Sequence, residues 1–133
     1  MMTLEELNAH LILIQKLVEA RELHATMQAA ALTASRLDTM PRAAGLGDRT
    51  AALAVKIAEQ EEVVALYERL VRDSETEIKA WIDTISDNRT NVIFYLRFIC
   101  GYEWRDVAEV IGGRNTENSV KSLAYRFFHS KAL

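Results

Sequence analysis

The sequence predicts an all-α protein, with a long antiparallel helical hairpin (a coiled coil) followed by a small three-helix helix-turn-helix domain. Half of the 133 residues are apolar, yet the chain has only five Gly and one Pro, too few for a loop-rich or all-β fold. Apolar residues recur at alternating spacings of three and four along two long stretches, as in a coiled-coil seam. A double glycine then joins two short amphipathic segments, which is the form of a helix-turn-helix. We therefore expect the hairpin at residues 1–86, with its tip at about residues 38–48, and the helix-turn-helix domain at residues 87–133.

The first predicted helix begins at Thr3 and extends to about Leu37. Thr3 and Glu6 have the spacing of a capping box, in which the threonine side chain caps the first turn. Five apolar residues form its seam: Leu4, Leu7, Leu11, Ile14 and Val18. Four more widen the stripe: Leu13, Leu17, Ala20 and Leu23.

The second predicted helix covers residues 49–85 and follows a linker that holds the only proline and two glycines. Asp48 is expected to be its N-cap. The same spacing of three and four recurs along this helix, with Gln60 and Ser74 as polar interruptions. Because neither helix can bury its stripe alone, a short connection favours an antiparallel pair. Two helices leave part of both stripes uncovered, which predicts a homo-oligomer, most simply a dimer.

The third predicted helix covers residues 89–100, after a break at residues 86–88, and Gly101 is expected to end it. It is apolar almost all round, which predicts a central position in the small domain. The single cysteine, Cys100, lies at its end and is interpreted as a small buried hydrophobe. One cysteine excludes an internal disulfide and any cysteine-rich zinc site.

Two short helices around Gly112 and Gly113 form the predicted helix-turn-helix. In the first, Trp104, Val107, Ala108 and Ile111 share one face. Either glycine can adopt the left-handed conformation that ends this helix. Thr116 is the expected N-cap of the second helix, residues 116–128, whose inner face is formed by Val120, Leu123, Ala124 and Phe127.

The outer face of the helix at residues 116–128 is the predicted DNA-binding surface, since the second helix of this motif enters the major groove. Asn, Ser and Tyr side chains can hydrogen-bond base edges or phosphates, and Lys and Arg neutralise phosphates. The candidate DNA-binding residues are Arg114, Thr116, Asn118, Ser119, Lys121, Ser122, Tyr125 and Arg126. An ordinary helical bundle would also have a polar outer face, so the pattern alone leaves both interpretations open.

Charge is distributed unequally along the chain. Residues 1–87 contain nine Lys/Arg and fifteen Asp/Glu, a net charge of −6, whereas residues 88–133 contain seven and four, a net charge of +3; together they give the −3 of the chain. Phosphate is attracted only to the basic segment, so any DNA contact belongs at the C-terminal end. The small excess predicts modest affinity for each copy.

A resemblance supports DNA binding. Residues 94–112 resemble a block of phage proteins related to region 4 of primary sigma factors, a group that includes the RinA- and ArpU-like late-gene activators. Trp104, Ala108 and Gly112 are its sharpest markers, and residues 31–48 resemble the hairpin tip of such proteins. The chain departs from the group at Glu103, where Ser or Thr is usual, and in a longer turn at residues 113–115.

This resemblance implies a sequence-specific transcriptional regulator of phage or prophage genes, acting in the cytoplasm of a bacterial host on double-stranded DNA. Host RNA polymerase is a candidate second partner. Two alternatives remain open: a small terminase-like DNA-packaging protein that assembles as a ring, and a coiled-coil adaptor whose small domain binds protein.

Other chemistry is not indicated by the sequence. His10, His24 and His129 are too scattered for a shared metal ion, and the acidic stretches on the second helix are typical of a solvated face. We therefore expect no catalytic residues, no metal, no cofactor and no enzyme activity. No stretch approaches the ~18 continuous apolar residues of a membrane span, and the acidic N-terminus does not resemble a signal peptide, so no membrane partner is expected.

Overall fold

The computed structural model describes residues 2–37 and 46–131, and this part of the chain is helical without any strand. It contains α1 (Leu4–Leu37), α2 (Leu46–Ile82), α3 (Asn88–Phe94), a π-helical turn (Tyr95–Ile99), α4 (Trp104–Ile111) and α5 (Glu117–Lys131). The predicted all-α class is confirmed. Residues 38–45, which hold most of the predicted linker and hairpin tip, lie outside the described residues. None of the described helices combines the length and apolar character that crossing a membrane requires.

The chain divides into two compact units. One is Leu13–Val71, which contains the C-terminal part of α1 and the N-terminal part of α2. The other combines Met1–Ile12 with Arg72–Leu133. The C-terminal helices therefore share a compact unit with the first turns of α1 and the last turns of α2, which the sequence analysis assigned to the hairpin.

Within Leu13–Val71, polar side chains link α1 to α2. Gln60 Nε2 donates a hydrogen bond to the Ala20 carbonyl over 3.1 Å, and Arg21 Nη2 lies 3.1 Å from Glu68 Oε1. Leu17 and Ala20 are buried, whereas Val18 is exposed. The expected position of Val18 in the seam is therefore wrong, because a stripe with spacings of three and four can be placed in two neighbouring registers.

The ends of α1 and α2 follow local capping rules only in part. Glu6 donates its backbone N–H to Thr3 Oγ1 over 3.2 Å, so Thr3 is a cap as expected. The second helix begins at Leu46, which places Asp48 inside its first turn and corrects the expected N-cap. It ends at Ile82 rather than residue 85, and Ile85 N donates to the Ile82 carbonyl in the turn that follows.

The core of the second unit is rich in aromatic rings. The Trp81 ring stacks on Phe128 with centroids 5.6 Å apart and meets Phe94 edge-on at 5.2 Å. Phe94 and Phe98 are buried and stack at 5.9 Å. Aromatic pairs at these separations stabilise a core beyond the burial of their area, so α2, α3 and α5 are held together by their rings.

The predicted third helix is interrupted. Asp87 caps α3 by accepting hydrogen bonds from the backbone N–H and the hydroxyl of Thr90. The α-helix ends at Phe94, and Cys100 N donates to the Tyr95 carbonyl over 3.1 Å, one residue further back than in an α-helix. Cys100 is exposed, so its expected burial is wrong: the wider turn brings it to the surface beside Gly101, whose φ is +76°.

Candidate nucleic-acid interface

The connection between α4 and α5 is a tight turn of five residues. Gly112 has φ 74° and ψ −162°, a region that only glycine adopts readily. Gly113 follows with φ +65°, so both glycines have a positive φ, rather than one. Asn115 closes the turn, because its Nδ2 donates to the Gly112 carbonyl over 2.7 Å.

Arg89 of α3 braces the same turn by donating from Nη2 to Asn115 Oδ1. Arg89 is not among the residues that the sequence predicted for this site. Twenty-six positions separate the two side chains, so no local pattern could have linked them. The only available signal was the asparagine after a glycine pair, a residue that often bonds to its own backbone in turns.

Helix α5 begins with a reciprocal cap. Ser119 N donates to Thr116 Oγ1 over 3.1 Å, and Thr116 N donates to Ser119 Oγ over 2.8 Å. Thr116 is therefore the N-cap that the sequence predicted. Ser119 Oγ also donates to the Thr116 carbonyl, so these two hydroxyls, both among the candidate DNA-binding residues, already serve the helix start.

The inner face of α5 is locked into the core. Val120 and Ala124 are 1% and 0% exposed, and they belong to the same cluster as Trp104, Val107 and Ala108 of α4. Two alanines, Ala108 and Ala124, lie at this junction, and small side chains allow two helices to approach closely. Packing of this kind fixes the rotation of α5 about its own axis, and with it the direction of its outer face.

The outer face of α5 brings most of the candidate residues together. One shallow depression is lined by Asn118, Ser119, Ser122, Tyr125 and Arg126. Asn118, Ser122 and Arg126 are exposed, and Tyr125 is 41% exposed. Of the other candidates, Arg114 is exposed in the turn, Thr116 caps the helix, and Lys121 is half-buried.

Cations and rings alternate beside this depression. Lys121 Nζ lies 5.8 Å from the centroid of the Tyr125 ring, and that ring meets Trp104 edge-on at 6.4 Å. The Arg97 guanidinium lies 5.0 Å from the Trp104 ring and donates to the Tyr102 carbonyl over 2.9 Å. Burial lowers the pKa of Arg97, although an arginine keeps its charge at neutral pH. The Arg97 guanidinium thus contacts the Trp104 ring, which in turn contacts the Tyr125 ring. Arg97 was not among the candidate residues predicted from the sequence.

Neither a metal site nor a comparison with known proteins adds evidence for a nucleic-acid interface on α5. Among residues 2–37 and 46–131, no three His, Cys, Asp or Glu side chains converge in a way that could hold a metal ion. Comparison with known proteins gives no family model, no curated relative and no solved structure that matches the chain. The resemblance to sigma region 4-like regulators therefore stays a prediction.

Proposed function

We propose that this protein is a sequence-specific DNA-binding regulator whose helix α5 enters the major groove. One observation carries the proposal: α5 buries Val120 and Ala124 against α4 while Asn118, Ser122 and Tyr125 remain on its exposed side. In this proposal α4, the turn and α5 act as a helix-turn-helix, and α1 and α2 form an antiparallel coiled-coil hairpin.

The chemistry of the outer face suits a duplex. Asn118 offers both a donor and an acceptor, the pairing that reads adenine in the major groove. Ser122 and Tyr125 add hydroxyls that can bond either bases or phosphates. Arg126, which donates from Nε to the Ser122 carbonyl, Lys121 and Arg114 supply positive charge for the backbone.

The biological setting follows from the sequence resemblance. We propose regulation of phage or prophage genes in the cytoplasm of a bacterial host, with host RNA polymerase as a second partner. The acidic segment of residues 1–87 is repelled by phosphate, which favours a protein rather than DNA as the partner of that segment.

Selection of DNA fragments from a random pool, followed by anisotropy titration at two salt concentrations, tests the proposal. The protein should recover one motif. Arg126→Ala should weaken binding to every sequence and reduce the salt slope by about one, whereas Asn118→Ala should relax preference at one base position, with a cost of roughly 1–3 kcal/mol for the preferred base.

Lys56→Ala is the matched control, because it also removes one exposed positive charge but lies in the other compact unit, paired with Glu59. It should leave motif and affinity unchanged. Absence of any shift at low salt contradicts DNA binding and favours the protein-binding adaptor, and a ring-sized particle favours the packaging protein.

A further inference from the structure

One side of the α1–α2 pair in Leu13–Val71 carries an apolar groove. Its floor and walls include Ala20 and Leu23 of α1 and Val63 and Tyr67 of α2. Three polar side chains also line it: Lys16, Glu19 and Gln60. Leu23 is half exposed, so nothing among the described residues covers the aliphatic surface there.

The apolar surface continues along α2 beyond the groove. Val63, Leu66 and Leu70 follow one another at spacings of three and four, which places them on one side of the helix. All three are exposed, Leu66 by 46%. Three large aliphatic side chains in one exposed stripe are typical of an interaction surface rather than of scattered surface residues.

The charged contacts between α1 and α2 lie on the other side of the pair. Glu61 Oε1 lies 3.4 Å from His24 Nε2, and Glu68 Oε1 lies 3.1 Å from Arg21 Nη2. At 100° per residue these glutamates lie roughly 150° around α2 from Val63. The pair therefore has these two contacts with α1 on one side and the stripe of Val63, Leu66 and Leu70 on the other.

Two pairs of residues lie at nearly equal distances on either side of Leu66: one pair of opposite charges and one aliphatic pair. Glu62 lies four residues before Leu66 and Arg69 three after it; Val63 lies three before and Leu70 four after. An antiparallel copy of α2 therefore places Glu62 beside Arg69 of the partner subunit and Val63 beside Leu70 of the partner subunit. A parallel copy instead places equivalent flanking residues on opposite sides of the contact, so that Glu62 has no oppositely charged neighbour in the second α2 helix.

We infer that a second copy of this chain docks on this side, with the two α2 helices antiparallel about a two-fold axis at Leu66. The interface is isologous, because the same stripe serves both subunits. It depends on residues of Leu13–Val71 only, so it holds or fails independently of DNA binding by α5. The groove gives each subunit a second apolar surface beside the stripe.

Disulfide trapping of the full chain, with Cys100→Ser as background, tests the orientation. Leu66→Cys lies on the axis and should form a covalent dimer on mild oxidation. Val55→Cys, also exposed on α2, lies eleven residues away, about 16 Å along the helix at 1.5 Å per residue. Its two copies would be about 33 Å apart, far beyond the Cα separation of ~4.4–6.8 Å that a disulfide requires. Trapping through Val55→Cys, or none through Leu66→Cys, overturns the inference.

Sedimentation velocity without DNA tests the interface itself. The wild-type chain should be a dimer at micromolar concentration, and Leu66→Glu should raise the dissociation constant at least tenfold. Leu32→Glu is the control. Leu32 is somewhat more exposed than Leu66 and lies eleven residues, or three turns, after Arg21 on the side that contacts Glu68, so the variant should stay dimeric. Circular dichroism checks that both variants remain helical.

Charge reversal separates this interface from simple loss of apolar surface. Glu62→Arg and Arg69→Glu should each weaken the dimer, since each creates like-charge neighbours, and the double variant should restore the wild-type dissociation constant to within about threefold. A monomeric wild-type chain, or a double variant no better than either single variant, overturns the inference.

Discussion

The Nδ1 atom of His10 lies 2.8 Å from the Oγ atom of Ser74. Ser74 is one of the two polar interruptions predicted in the stripe of α2, whereas His10 lies outside the predicted seam of α1 and yet is only 1% exposed. The pairing explains how two polar groups are tolerated in an apolar seam, because buried polar atoms cost little once they have a partner. The Nε2 atom of His10, also buried, has no hydrogen-bond partner among the described residues.

Because of His10, the free energy of unfolding should decrease as the pH is lowered. Burial lowers the pKa of His10 below its ordinary value of 6.5, although the Glu75 carboxylate and the Phe98 carbonyl favour the charged form. The unfolded chain binds this proton more readily than the folded chain. Stability is therefore intact above pH 6.5 and is lost as pH falls below it, until the lower pKa of the folded state is reached.

Urea unfolding at several pH values between 8 and 5 measures the effect. The free-energy difference between the wild type and His10→Gln should shrink as pH falls below 6.5, by at most about 1.4 kcal/mol per pH unit for one proton. His129→Gln, exposed on α5, is the control and should follow the wild-type profile. Parallel profiles for the wild type and His10→Gln would contradict the assignment.

Any side chain at Gly112, in the turn before α5, should lower the free energy of unfolding. A Cβ there meets no atom within 4 Å, so the penalty of Gly112→Ala comes from the backbone conformation and not from a clash. The combination of φ 74° and ψ −162° costs on the order of 1–3 kcal/mol for other residues. Chemical denaturation should show that loss.

Substitution of Gly112 by asparagine distinguishes this cause from the strain of an ordinary left-handed helical residue. It tolerates the left-handed helical region better than alanine does, but the ψ of Gly112 lies outside that region. Gly112→Asn should therefore be about as destabilised as Gly112→Ala. A clear rescue by asparagine would show that the turn relaxes into a left-handed helical conformation.

Much of the fold could be predicted because its signals are local. The caps at Thr3 and Thr116 and the inward face of Val120 and Ala124 each depend on residues within one or two helical turns. The shift of the seam from Val18 to Leu17 could not be predicted, because neighbouring registers satisfy the same apolar spacing.

The features that escaped prediction depend on distant partners or on small backbone differences. A π-helical turn differs from an α-helical turn by one residue per hydrogen bond, and the composition of residues 95–99 does not distinguish them. In the sequence Arg97 is indistinguishable from an ordinary surface cation, because its contacts with Trp104 and the Tyr102 carbonyl exist only in the folded chain. In the candidate site, the sequence grouped Ser119 with the reading residues, whereas its hydroxyl is engaged by the helix start.

The brace between Arg89 and Asn115 should couple α3 to the turn before α5. Arg89→Ala and Asn115→Ala should each destabilise the chain, and the double variant should lose less than the sum of the two, with a coupling of about 0.5 kcal/mol or more. Arg114→Ala, which removes an adjacent cation with no such bond among the described residues, should show no coupling with Asn115→Ala. Additive losses for Arg89 and Asn115 would mean that the bond contributes nothing in solution.

The ring and the hydroxyl of Tyr125 should have separable roles. The ring packs against Trp104 and beneath Lys121, whereas the hydroxyl is the only hydrogen-bonding group that this side chain offers to DNA. Tyr125→Phe should therefore keep the free energy of unfolding within about 0.5 kcal/mol of the wild type, as expected for a surface change, while altering base preference or lowering affinity. Tyr125→Ala should lose both stability and affinity, because Trp104 is then uncovered. Denaturation and anisotropy titration of the two variants decide the matter: if Tyr125→Phe binds every selected sequence as the wild type does, the hydroxyl does not contact DNA and the tyrosine serves only to hold Trp104.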